Sequence, residues 1–461
     1  MKKSITTTMG SMVSGSKGLR IFALMVGMML FGAIGVKAAF KTWVGAATGG
    51  SWSLASNWSP ASVPNSTDDI VVNVGSNTFQ FTGVSTVTIA TLTINGTFGT
   101  FNWGTNSGTV TISGAVVCLV DMTLNAVSLA PQSTWTVPAT KRIIINTTSN
   151  INLSGVSSLL TLNGGIQMSA GSVTNTSNSK LRVNPGGFYT YNSGANSGQL
   201  PNMTVALGGT VVVAPGTGTP ILVNMSMAGN LIIGGTGNIN STSGSDVVYT
   251  STGTLEYQNT TSRNVFAREW PTTSSPRNVI MNSSGLTMTL TSSRTIAGQL
   301  TLTNGALSVS GSGTALSFTA PATTQPIVRT SGTITATSSP SLTFAPVSGV
   351  GNWTLPAGTF TAAPTLTNMT VTMALGNSLT LNNQDITVTT CTQNSGNVIL
   401  GTGSIQVATM SILSPGSTKM IITSATSGYV RRSFNTLSFQ SFVYPTAKMW
   451  ALRNTADSRS Q

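Results

Sequence analysis

The densest group of charged side chains in this 461-residue chain is Glu256, Arg263, Arg268, Glu269 and Arg277, with Trp270 among them. Carboxylates and arginines on one exposed sheet, with aromatic rings as sugar platforms, are the equipment of a polysaccharide-cleaving enzyme. Retaining glycoside cleavage needs two carboxyl groups about 5 Å apart. Glu256 and Glu269 are 13 residues apart, and sequence alone leaves their relative placement open. The competing reading, which we favour, is a solvated loop whose Arg and Glu pair weakly. The loop remains the first candidate for ligand binding. Asp68 and Asp69 are a second carboxylate pair. Neighbours along a strand face opposite sides, so these two read as turn residues or the start of a strand.

A third chemistry is an array of hydroxyls. Thr91-Leu92-Thr93, Thr109-Val110-Thr111, Thr287-Met288-Thr289, Thr301-Leu302-Thr303 and Thr333-Ile334-Thr335 are T-x-T units. On a flat sheet they would present regular hydroxyls and methyls, as ice-binding β-solenoids do, and the same array would suit a glycan. Thr is also a strong strand former that stacks well on Thr of the next strand. Thr outside and Leu inside is therefore the expected look of any solenoid with few charges.

Composition excludes much else. The chain has no histidine, which removes a His general base, a Ser-His-Asp triad and His metal ligands. Eight carboxylates leave little for acid/base or Ca²⁺ chemistry. No cofactor motif is found. Only 6% of residues are charged, against about 25% in ordinary soluble domains. Thr, at about one residue in six, fills the gap together with Ser, Gly and Asn. The basic residues are scattered rather than gathered in a stripe with aromatics, so a nucleic-acid partner is not expected.

The elements that would carry these residues are strands. Hydrophobic residues are 39% of the chain, and mean hydropathy is +0.22, too apolar for a disordered polar tract. Val, Ile, Leu and Met alternate with Thr, Ser and Asn in runs such as Ala90-Thr91-Leu92-Thr93-Ile94 and Leu159-Leu160-Thr161-Leu162. That is a half-buried β pattern. The runs end in Asn-Gly, Gly-Gly or Ser-Gly, which tolerate positive φ and form turns. No sustained helical period appears beyond residue 38. Degenerate echoes, such as Pro201-Asn202-Met203-Thr204-Val205 against Asn368-Met369-Thr370-Val371, suit a repeat fold whose turns accept insertions.

The expected fold is all-β: a right-handed parallel β-helix, a β-solenoid, with breaks near 189–201 and 252–276. The alternative is a string of tandem β-sandwich modules of roughly 80–90 residues. Cys118 and Cys391 are the only thiols. In a solenoid of about 20–25 residues per coil they lie about a dozen coils apart. That is on the order of 55 Å, far beyond disulfide reach. Each is expected to be unpaired and packed as a small apolar residue.

The N-terminus reads as an export signal. Lys2, Lys3, Lys17 and Arg20 precede an uninterrupted apolar and glycine run at 21–36, and Val36-Lys37-Ala38 is a small-x-small cleavage pattern. The run is shorter than the roughly 20 residues needed to span a bilayer, so cleavage after Ala38 is expected, with no membrane span afterwards. Residues 39–78 hold Trp43, Trp52 and Trp58, large rings suited to capping the exposed end of a solenoid. Residues 79–430 form the repeats and 431–461 a C-terminal strand unit and tail.

Residues 40–72 run W-x-G, W, N-W, V-P and D, and this order resembles the opening motif of large secreted β-repeat proteins of Bacteroidetes-type bacteria. The stretch 253–309, with Leu255-Glu256-Tyr257, Trp270-Pro271, Pro276-Arg277-Asn278 and Leu300-Thr301-Leu302-Thr303-Asn304-Gly305, is similar to a unit of the same autotransporter-like surface proteins. Gly428-Tyr429-Val430-Arg431-Arg432 through Tyr444-Pro445 resembles the unit that closes such arrays, although Val443-Tyr444-Pro445-Thr446 departs from its usual Phe-Pro-Val-Gly. The resemblance implies a location outside the cell or on the outer-membrane surface of a Gram-negative bacterium. It also implies a C-terminal sorting domain, which is not found here. The expectation is a fragment, a truncated product or a chain anchored otherwise. The function expected is structural or adhesive and not enzymatic, with glycans, other cells or extracellular matrix as partners. The alternatives are a polysaccharide lyase or hydrolase on a β-helix, and an ice- or glycan-binding Thr array.

Overall fold

The computed structural model describes residues 40–432, apart from short internal stretches of which the longest are 192–198 and 413–419. The signal segment at 1–38 and the tail from 433 lie outside the described residues. The chain is almost entirely β, wound as a right-handed parallel β-helix. Local alternation builds it. In the strand Thr91–Asn95, Leu92 and Ile94 are fully buried while the Thr and Asn side chains between them face outward. Strands Thr109–Ile112, Leu159–Leu162 and Thr210–Val213 repeat the pattern. Each fully buried aliphatic side chain contributes about 1.5–3 kcal/mol. Backbone N–H and C=O groups pair with the coils above and below.

Two long sheets form the first walls. One has eleven strands: ten parallel ones from Phe40–Trp43 to Val247–Tyr249, and Trp58–Ser59 at its N-terminal edge. The other starts at Thr48–Ser51 and continues to Ile327–Arg329. A five-stranded third wall accompanies the early coils. Register partners lie 19 residues apart at Val116 and Trp135 and 27 apart at Leu300 and Ile327. Coil length therefore varies at the turns while the cross-section is kept. Asn side chains stack across successive turns, as in Asn184 donating to Asn163 at 2.8 Å. Gly208, at φ 83°, makes a corner that other L residues adopt with strain, and its carbonyl accepts from Gly186 at 2.9 Å.

The wall changes beyond residue 250. The eleven-stranded sheet ends at Val247–Tyr249, and a seven-stranded sheet begins at Arg294–Ile296 and runs to Tyr429–Arg432. The 13-residue strand Asn278–Leu290 spans the change; its register shifts around Asn282. The break expected near 252–276 is thus a handover between walls. The break expected near 189–201 does not interrupt either long sheet. Leu181–Val183 pairs with Met203–Val205 and Phe188–Tyr191 with Thr210–Val213 across it.

One hydrophobic core runs from Trp43 to Val407. Tandem sandwich modules would each have a separate core and antiparallel sheets, so the continuous core and the parallel ladders overturn that alternative. At the N-terminal end Trp58–Ser59 pairs antiparallel with Phe40–Trp43 and covers its free edge. Trp58 packs edge-on against Trp43, centroids 4.9 Å apart, and against Trp52 at 4.7 Å. Its indole N–H donates to the Trp52 carbonyl at 2.8 Å. Cys118 and Cys391 are buried, unpaired and in different sheets.

Candidate functional site

The strand Thr254–Asn259 divides the charged cluster. Alternation turns Leu255 and Tyr257 inward and Glu256 and Gln258 outward. Glu256 accepts from Gln258 Nε2 at 2.7 Å and from Asn282 Nδ2 of the next coil at 3.1 Å. Glu269 is fully buried on the other side of the wall. Its Oε1 accepts from Arg263 Nη1 at 2.7 Å, from the Phe266 backbone N–H at 3.0 Å and from Tyr257 Oη at 3.2 Å. Its Oε2 accepts from Arg263 Nη2 at 3.1 Å and from the Ile239 N–H at 3.3 Å. Tyr249 Oη donates to the Glu269 carbonyl at 2.7 Å. Arg263 also lies over the rings of Tyr257 and Phe266, at 5.5 and 5.4 Å.

This arrangement corrects the solvated loop. Arg263 and Glu269 form a bidentate pair inside the wall, because the chain between 259 and 278 folds back into the coil where the eleven-stranded sheet ends. Trp270 is fully buried, with its indole N–H toward the Thr295 carbonyl at 3.4 Å, so no ring face is open as a sugar platform. Arg268 lies 3.6 Å from Asp246, and Arg277 donates to the Ser251 carbonyl at 3.3 Å. Glu256 and Glu269 point to opposite sides of one strand. The six residues are near in sequence, but the structure does not gather them into one pocket.

Burial governs the electrostatics inside. The Tyr249 and Tyr257 hydroxyls are pushed well above the ordinary tyrosine range, first by burial and then by the Glu269 charge. Arg294, buried where the seven-stranded sheet begins, is lowered by desolvation. The Cys118 thiol is pushed up to about 12 and that of Cys391 to about 11, both chiefly by burial.

The remaining carboxylates of the described residues are dispersed. Asp68 accepts from the Asn65 N–H and Asp69 from Thr91 Oγ1, on opposite sides of the chain as strand alternation requires. Asp121 pairs with Arg142, and Asp385 accepts from the Ser404 N–H and hydroxyl. A surface groove of about 290 Å³ borders Ala357, Phe360, Gln384 and Asp385. Gln384 there already donates to the Pro356 carbonyl at 2.8 Å. Among the described residues no three His, Cys, Asp or Glu gather as metal ligands, and no helix is long and apolar enough to cross a membrane.

The T-x-T units do not share one face. Thr93 has Val71 and Val117 as register neighbours, and Thr301 has Ile280 and Val328. The unbroken hydroxyl row lies elsewhere, on the seven-stranded sheet: Thr295, Ser317, Thr343, Thr370, Thr392 and Ser411 are successive register partners. Ala315, Ser341, Asn368, Thr390 and Thr409 form a second row beside it. Alternation along one strand is visible in the sequence, whereas these rows run across coils whose spacing varies. Thr343 and Thr370 are 27 residues apart, Thr370 and Thr392 only 22.

No family model, no curated protein and no solved structure matches this chain.

Proposed function

We propose that the chain is an exported surface or extracellular repeat protein with a structural and adhesive role and no catalytic one. The observation that carries this reading is the rod: one core and continuous parallel ladders, clothed in uncharged hydroxyl and amide side chains. Such a scaffold holds a long surface at fixed spacing, which suits attachment to glycans, other cells or matrix. The separation of Glu256 from Glu269 by the wall supports the non-catalytic part. The basic and apolar pattern of residues 1–38, together with the resemblance to Bacteroidetes-type surface proteins, supports export to the outer-membrane surface or beyond.

Two measurements test the reading. Incubation with a panel of anionic polysaccharides is expected to leave chain length unchanged; cleavage would favour a lyase or hydrolase instead. The exported protein is expected to begin at Ala39 on N-terminal sequencing and to adhere to cells or matrix. Retention of residues 1–38 would contradict the signal assignment, and failure to adhere would contradict the adhesive role.

A further inference from the structure

We propose that the outer face of the seven-stranded sheet is the ligand-binding surface, and that it takes an extended, uncharged polysaccharide chain lying parallel to the solenoid axis. This rests on the adhesive reading and names its site and ligand class.

The row from Thr295 to Thr392 places one hydroxyl on every coil over five successive strands. Coils repeat at about 4.8 Å, close to the length of one pyranose in an extended β-linked chain. Sugar hydroxyls recur along such a chain on a similar scale, so one polymer can meet several rungs of the row. The hydroxyls of Thr295, Ser317, Thr343, Thr370 and Thr392 are partly exposed, and among the described residues none is hydrogen-bonded to another side chain or carbonyl. They are available as both donors and acceptors, as a sugar hydroxyl requires.

Charge selects the ligand. Neither row contains Asp, Glu, Lys or Arg, so nothing within these two rows attracts a uronate or a sulfated sugar. The other long walls differ. The row through Thr136 and Thr161 includes Val117, Arg182 and Val248, and the row through Thr190 includes Val212, Ile232 and Glu256. Beneath the proposed face the packing is tight: Phe318 and Phe344 stack with centroids 5.3 Å apart and planes 8° from parallel. Leu316, Leu342, Met369, Val371 and Cys391 fill the same layer and are buried. The hydroxyls thus stand on a rigid base, which lowers the entropy lost on binding. Individual contacts are weak, and their repetition along one polymer supplies avidity. The second row mixes Ala, Ser, Asn and Thr. Their uneven heights suit adaptable sugar hydroxyls better than a flat ice plane.

The test is co-sedimentation of the full chain with microcrystalline cellulose, against soluble polygalacturonate as the charged control. Wild type is expected to bind cellulose, and Thr343→Val/Thr370→Val/Thr392→Val is expected to weaken binding at least tenfold with unchanged circular dichroism and Tm. Thr93→Val/Thr136→Val/Thr161→Val, on the eleven-stranded sheet, is expected to bind as wild type does. Equal binding by both variants would overturn the assignment of this face. Preference for polygalacturonate, thermal hysteresis without cellulose binding, or no polysaccharide binding at all would overturn the ligand class. Cell or matrix adhesion, measured separately, decides the broader adhesive reading, so the two failures are distinguishable. Should the triple variant be unstable, Thr343→Lys and Thr370→Lys singly, at outward positions, are each expected to weaken binding; undiminished binding would overturn the proposal.

Discussion

Arg263 and Glu269 meet in two parallel hydrogen bonds, at 2.7 and 3.1 Å, with the carboxylate wholly out of water. Removing one partner of a buried pair leaves an uncompensated charge, at a cost of about 3–5 kcal/mol. Glu269→Ala and Arg263→Ala are each expected to destabilise by that order in urea unfolding. The double variant should cost less than the two together. Full additivity would mean that the two side chains do not act as a pair.

The end of the rod should fray first when its aromatic cover is removed. Trp58 bridges Trp43 and Trp52 and bonds to the chain at Trp52. Trp58→Ala is expected to cost about 3–5 kcal/mol. Stacked coils contact mainly their neighbours, so the effect should stay local. Hydrogen exchange should rise across residues 40–73 and stay slow across 300–344. A uniform rise would contradict a one-dimensional stack.

The buried tyrosines give alkaline sensitivity a sign. Tyr189, Tyr249 and Tyr257 are all raised above their unfolded value, which is about 10. Above that pH the unfolded chain loses these protons while the folded chain keeps them, so stability falls as pH rises. Denaturation midpoints are expected to begin falling near about pH 8.5, where the unfolded thiols of Cys118 and Cys391 ionise, and to drop more steeply above about 10, where the unfolded tyrosines follow. Tyr257→Phe should soften the drop. A midpoint that rises through this range would contradict the burial.

Thiol chemistry follows from the same burial. With Cys118 raised to about 12 and Cys391 to about 11, almost no thiolate exists at pH 8. A thiol reagent is expected to label neither in the folded protein and both in denaturant. Rapid labelling of the native protein would place a thiol at the surface.

Much of this architecture was legible in the chain. Leu92 and Ile94 between threonines announce a strand with one buried side, and Trp43, Trp52 and Trp58 announce an end that needs covering. The handover between walls was legible only as a disturbance near 252–276, since which strand pairs with which is a property of stacked coils. Arg263 and Glu269 read as solvated because local sequence does not say on which side of a wall a loop falls. The Gly-rich stretch after Tyr191 read as a break, yet both long sheets pass it: the pairing of Tyr191 with Val213 restores register on the far side. The hydroxyl row from Thr295 to Ser411 escaped notice because its members lie 19 to 27 residues apart at uneven intervals.

The in-register stack can be measured directly between Val117 and Val248. Both are exposed, at 41% and 48%, and they lie in one row of the eleven-stranded sheet. Six rungs separate them, through Thr136, Thr161, Arg182, Thr204 and Ser226. At about 4.8 Å per rung their backbones are roughly 29 Å apart. Pulsed electron–electron resonance on spin labels at Val117→Cys and Val248→Cys, with Cys118 and Cys391 replaced by Ala, is expected to give one narrow distribution near that distance, broadened only by the label arms. A broad distribution, or a centre far beyond it, would mean that the coils between them do not stack as one solenoid.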